Sequence, residues 1–458
     1  MAGIGFQLRR ILGKGDIGGT VGAIVSGIFI VAGPWLISVV SMALLPFAFS
    51  RFGFLETPVF QTTIVYCYAG SLSLFSGMHH HFTRIIADLV WEGRHGEATA
   101  WMLRFSALAV VASAAISIPV AAFSRVDVTG SCLLYRVAIV VLFAAVNIGW
   151  IVMLFISLLR DYHVINLVYG LGMAVSIVSA LALSGRAGPG GAVLGYASGI
   201  LLLDAVFMLV GVVRFPPVRP RNGMADFWRY ARQYATLIAS GFCFYAGQWL
   251  DKFYFWATRG TVVDGISARV YEAYDILVYM AGLSIIPGLV YFMIMTETQL
   301  YTDLRHFLFS LNHASWTKIQ SAKLRMTASL RRELRDQSLL QAACSLVVAL
   351  ITVRLAPAGL ARTELWLAFG SAFMQFTLLT LLVFLYYLEL YGRAFAVGLL
   401  YFCVNGLGTV ALYALMPDLP AGASHLAAGF LASIAGYALL CSSARRMDRI
   451  IFTRALRE

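Results

Sequence analysis

The chain is a succession of apolar runs, most of them roughly 20 residues long, separated by short polar stretches over 458 residues. The runs fall near 22–50, 60–83, 105–123, 133–159, 164–184, 191–213, 234–257, 274–296, 338–356, 365–388, 394–416 and 425–442. None alternates apolar and polar residues with period two, so each predicts a helix. Their length suits the hydrocarbon thickness of a bilayer. No water there can pair with backbone groups, and a helix satisfies that demand within its own segment. The pattern predicts an all-α integral membrane protein with about twelve transmembrane helices.

Composition sharpens this. Hydrophobic residues make up 60% of the chain and charged ones 12%, with a mean hydropathy of +0.81. A water-soluble chain of this size needs about twice that charged fraction to solvate its surface. A net charge of +12 invites a nucleic-acid partner, but the basic residues sit in short loops and form no continuous binding face. Six cysteines (Cys67, Cys132, Cys243, Cys344, Cys403, Cys441) lie in or beside apolar runs. Their spacing suits neither a metal nor a disulfide framework, and they read as small apolar residues in packed helices. The first run is too long for a cleavable signal peptide and lacks a cleavage site.

With the N-terminus placed inside, the inward segments carry 25 of the 34 Lys and Arg residues. Positive charge is retained on the cytoplasmic side of membranes, so both termini are expected there. The Pro- and Arg-rich stretch 214–233 divides the chain into two six-span halves, 1–213 and 234–458, the second carrying a basic cytoplasmic segment at 298–337. A repeat supports the division. Ser26-Gly27, Ala32-Gly33 and Trp35-Leu36 recur as Ser240-Gly241, Ala246-Gly247 and Trp249-Leu250, at a constant offset of 214. Spans one and seven run the same way, which makes this a parallel repeat of the kind transporters use.

No phosphate-binding G-x4-GK[ST] loop occurs, and no hydrophilic stretch is long enough for a catalytic domain. The reading is a non-enzyme without cofactor or metal. Ionisable groups inside spans then become the candidates, because a charge at mid-bilayer costs a few kcal/mol and such residues usually face a cavity. Asp204 is the deepest carboxylate and a candidate for proton coupling. Asp251 and Lys252 follow Gln248 and Trp249 near the outer end of span seven. Neighbouring helical residues point about 100° apart, so this pair is expected to find partners on other helices or on a sugar. Pro34 and Pro287 are expected to break their helices and border a cavity. His79, Arg84 and Asp88 end span two, read as an interfacial cap facing headgroups, and Glu297 is their counterpart after span eight. Residues 318–337 place Ile319, Met326, Leu330 and Leu334 on one face. Lys323, Arg325, Arg331, Arg332 and Arg335 make it a basic amphipathic helix, expected to lie on anionic headgroups or to dock a partner.

The residues also resemble a known family. Met1-Ala2-Gly3-Ile4-Gly5-Phe6 with Gln7-Leu8-Arg9-Arg10-Ile11-Leu12, Gly33-Pro34-Trp35-Leu36, and Trp249-Leu250-Asp251-Lys252-Phe253 with Phe255-Trp256 are similar to PelG proteins. So are Tyr274-Asp275, Ile286-Pro287-Gly288-Leu289 and Thr296-Glu297-Thr298. PelG proteins are the inner-membrane transport components of Pel exopolysaccharide systems. The resemblance implies the MOP flippase fold, two parallel six-helix bundles around a cavity. It also implies export of an N-acetylhexosamine-rich polymer important in biofilms. Implied partners are a cytosolic glycosyltransferase and membrane subunits including a cyclic-di-GMP receptor. Gln7 departs from the pattern, standing where an acidic residue is expected. The alternatives are an ion-coupled small-molecule exporter of the same fold and a non-transporting scaffold of a polysaccharide synthase.

Overall fold

A computed structural model describes residues 33, 36–158, 162–355 and 362–455. Packing divides them into two compact units, one within Gly33–Tyr271 and one within Glu272–Glu458. Each of the twelve expected spans has a helical segment, the first only in part. Eight helices among the described residues are long and apolar enough to cross a membrane.

The Gly33–Tyr271 unit begins with α1 (Leu36–Arg51). It continues through α2 (Thr57–Trp91), α3 (His95–Phe123), α4 (Cys132–Leu158) and α5 (Tyr162–Arg214). Three shorter helices follow, α6 (Met224–Gln233), α7 (Ala235–Gly247) and α8 (Leu250–Thr258). Two short antiparallel strands, β1 (Thr261–Val262) and β2 (Arg269–Val270), close the unit.

The 53 residues of α5 exceed any bilayer crossing because they form two arms. Helical geometry fails at Ala187 and Gly188, just ahead of Pro189. Gly188 adopts a φ of 61°, which a side chain disfavours, and a Cβ there would strike Thr129. Beyond the turn the arms run antiparallel. Gly191 lies against Leu183, Gly195 against Ser179 and Gly199 against Ser176, each with no space for a side chain. Small residues every fourth position let two backbones meet where lipid offers no hydrophobic drive. The same device seats α7 on α2: a Cβ on Gly241 would overlap the His80 ring.

Residues 214–233, expected as a linker, are docked. The backbone of Val218 donates to Gly96 O (3.0 Å), and Phe227 of α6 packs on His81 with ring centroids 4.5 Å apart. Because α7 and α8 pack in this unit, the packing boundary falls after Tyr271, beyond the start of the second repeat copy.

The second unit holds α9 (Glu272–Leu283), α10 (Ile286–Met295), a π-helical turn (Thr296–Leu300), α11 (Tyr301–His313) and α12 (Trp316–Leu355). The rest are α13 (Arg362–Tyr387), α14 (Tyr391–Leu415), α15 (Ala423–Arg445) and α16 (Met447–Ala455). Large apolar side chains stay exposed on both units, among them Val111, Phe123, Leu407 and Ile434. On helices of this length such surfaces face lipid.

Candidate functional site

Asp204 sits on the second arm of α5 with 2% of its surface exposed. Neither carboxylate oxygen has a hydrogen-bond partner among the described residues. The space it occupies exists because α4 carries Gly149, where a Cβ would come 3.1 Å from Oδ1. Tyr68 and Tyr169 lie within electrostatic reach, and the Tyr169 hydroxyl pairs with Ser38 Oγ at 2.7 Å. A buried carboxylate without donors is costly.

Asp251 and Lys252 depart from expectation. They pair with each other, Nζ lying 3.1 Å from Oδ1 and 3.3 Å from Oδ2, at 0% and 5% exposure. The lysine's four-carbon stem folds back on its neighbour despite the 100° between their helical directions. Span seven is also broken. Gln248 and Trp249 form the turn between α7 and α8, and Asp251 falls in the first turn of α8, where the helix dipole favours a negative charge. Trp249 stands over Phe253 (6.3 Å) and Trp256 (6.2 Å).

The polar end of span two packs against protein, since α2 continues to Trp91 and α6 and α7 lie against it. His79 packs near Trp150 and His80 near Tyr245, while His81 Nε2 meets Phe227 O at 3.1 Å. Arg84 bridges Asp88 (3.2 Å) and donates to the Tyr234 hydroxyl (3.0 Å). Tyr230 donates to Asp88 Oδ2 (2.9 Å). Burial pushes the Tyr230 hydroxyl up to about 12, and its bond to Asp88 adds to the effect. One turn on, Arg94 grips Glu97 with two bonds of 2.9 and 2.7 Å, and the Arg221 amide donates to the same carboxylate (3.0 Å). Glu97 and Arg94 went unnoticed in the sequence because a Glu three residues from an Arg near a helix start is commonplace.

In the second unit, Pro287 lies in the first turn of α10, where the missing amide costs nothing. The break is at Ser284-Ile285, just before it. Pro34, like most of the first repeat copy, and the side chain of Glu297 lie outside the described residues. Arg331, Arg332 and Arg335 are exposed on α12. Their helix departs from expectation, since it continues unbroken into span nine, and Ile319, Met326, Leu330 and Leu334 are buried in protein.

The same helix carries a feature that the charge pattern concealed. Glu333, Gln337 and Gln341 recur every fourth residue and are all buried. Gln337 donates to Thr380, and Gln341 donates to Ser284 O (3.0 Å) and Ser345 Oγ (2.9 Å). Their acceptor oxygens, Gln337 Oε1 and Gln341 Oε1, have no hydrogen-bond partner among the described residues, and neither does the Glu333 carboxylate. Glu333 faces the Leu300 backbone at the end of the π turn, without a bond of regular geometry. Among the described residues no three His, Cys, Asp or Glu side chains come together as metal ligands.

Comparison with known proteins resolves the family. The family described as "PelG: Putative exopolysaccharide Exporter (EPS-E)" matches residues 1–452. The chain belongs to the PelG family. No curated protein sequence matches it. Solved structures similar to this PelG-family chain are transporters of the MOP superfamily. One is the Vibrio cholerae MATE transporter VcmN in the bent form, at TM-score 0.55 and 13% identity, covering 94% of this chain and 98% of that one. Another is a MOP superfamily transporter from Pyrococcus furiosus, at TM-score 0.57 and 12% identity, covering 92% and 96%. At such identities the likeness shows the fold. The PelG-family chain is a multi-pass membrane protein with the architecture of a MOP transporter.

Proposed function

We propose that this chain exports an exopolysaccharide, Pel-like and rich in N-acetylhexosamine, across the bacterial cytoplasmic membrane with both termini inside. The six-span repeat halves would supply the alternating bundles. Family and fold support a transporter, and one observation carries the coupling: Asp204, buried in the Gly33–Tyr271 unit with neither oxygen hydrogen-bonded among the described residues. A structural acid would have recruited donors. One that must bind and release an ion during a cycle is kept without them. Glu333 is its counterpart in the second unit. The exposed arginines of α12 offer a face for a cytosolic glycosyltransferase or a membrane partner of the synthase.

The test is complementation of a deletion strain with Asp204→Asn, membrane levels being matched. Asparagine keeps the volume and removes the titratable group. Secreted polymer should fall to the level of the deletion strain while the glycosyltransferase remains present. Secretion at the wild-type level would overturn the coupling role.

A further inference from the structure

A groove of about 520 Å³ runs along the Gly33–Tyr271 unit, apart from Asp204. Its floor is one face of α2, where Thr62, Tyr66, Gly70 and Leu74 follow one another at intervals of four. From Thr62 to Leu74 the helix rises about 18 Å. Ile116 and Val120 of α3 form one wall, and Ile139 and Phe143 of α4 form the other. Leu74 is 52% and Val120 62% exposed, so the groove opens at its side onto exposed apolar surface.

Polarity changes along its length. The charged lining residues are Arg125 and Arg269, both exposed and both at the end where α3 stops. The loop after α3 and the β1–β2 hairpin hold them on a common rim. Asp127 N donates to Gly265 O (2.8 Å) and Ser267 N to Arg125 O (3.2 Å). Arg269 Nη1 donates to Ala257 O (2.6 Å), and the Tyr66 hydroxyl donates to Arg269 O (2.7 Å). Tyr66 stacks on Trp256 at this end, centroids 4.6 Å apart.

The lining hydroxyls are mostly spent. Thr63 Oγ1 bonds to Val59 O and to the Tyr135 hydroxyl (2.7 and 2.6 Å), and Ser117 donates to Ser113 O (2.7 Å). A sugar in the groove would find rings but few free polar partners. An amphiphile with a long apolar part and an anionic end fits both halves of the gradient.

We propose that this groove holds an anionic glycerophospholipid from the surrounding membrane, one acyl chain along α2 and the phosphate at Arg125 and Arg269. The site does not depend on the cargo. It would hold the hairpin against α2 and α3, where the headgroup neutralises two arginines that have no carboxylate beside them among the described groove-lining residues.

Trp256 provides the readout. The full chain is placed in nanodiscs doped with phosphatidylglycerol or phosphatidylcholine brominated on the acyl chain, and the Trp256-dependent quenching is isolated by comparison with Trp256→Phe. Phosphatidylglycerol should quench at a lower mole fraction than phosphatidylcholine. Arg125→Gln with Arg269→Gln should erase that preference, each arginine contributing roughly fivefold. If the pair of changes prevents folding, Arg125→Gln alone, at an exposed position, should show one such step. Equal quenching by the two lipids, or a preference that survives loss of the arginines, would overturn the proposal. Relief of quenching by a soluble N-acetylhexosamine oligosaccharide would overturn it in favour of a sugar subsite.

Discussion

Lys252 and Asp251 show how much a single buried charge depends on its neighbour. Removing one member of a buried ion pair takes away the charge that chiefly balances the other, at a cost of about 3–5 kcal/mol, whereas replacing both is often far less costly. Asp251→Asn alone should therefore lower the thermal midpoint of the purified protein sharply, and Asp251→Asn with Lys252→Gln should recover most of the loss. Midpoints that fall additively in the double variant would mean that the pair is not the dominant partner of either residue. At this scale the sequence was partly legible. Asp204 stood out because nothing around it is polar in the primary order, and depth alone picks out such a residue. Glu333 was hidden by its surroundings, since an acid in a strongly basic segment reads as surface. What buries it is the α10–α12 packing, a long-range contact that local order does not contain.

The helices were legible as apolar runs, and their ends less so. α6 reads as loop by composition, yet Phe227 and the tyrosines at 230 and 234 bind it to α2, a match visible only when both partners are folded. The basic stretch is amphipathic, and its apolar face meets α11 and α13, as the burial of Met326 and Leu330 shows. A second anchor comes from α16. Asp448 accepts from Lys323 and from Gln320, both at 3.0 Å. Burial pulls the Asp448 carboxyl up, but these bonds and the Arg449 amide outweigh it and hold it below the usual 3.8. Its folded pKa is depressed, so its contribution is complete above that value and fades as pH falls through the lowered one. Asp448→Asn should loosen α16 at neutral pH and speed tryptic cleavage after Arg446 and Arg449. Unchanged cleavage would show that α16 is held by its apolar contacts alone.

For the whole molecule, the number of spans, the transporter architecture and the family could all be read from the chain, because each rests on length, hydropathy and short motifs. The packing boundary after Tyr271 could not, since a recurring sequence pattern does not say which helices pack together. Coupling is tested at this scale. If Asp204 carries protons, collapsing the transmembrane pH difference in intact cells should stop secretion while intracellular polymer accumulates. Secretion that continues after collapse would leave polymerisation itself as the driving force.

The glycine-lined hairpin of α5 bears on how the protein is made. The second arm, taken alone, would present a strip of bare backbone to lipid from Gly191 to Gly199, and the first would lose the neighbour packed along Ser176, Ser179 and Leu183. The turn between them is only a few residues, with Arg186 just before it, so there is no loop to be threaded separately. The insertion machinery is therefore expected to release both arms into the bilayer together, as one folded nascent unit, and a ribosome stalled between them would leave a half-hairpin with no stable place in the membrane.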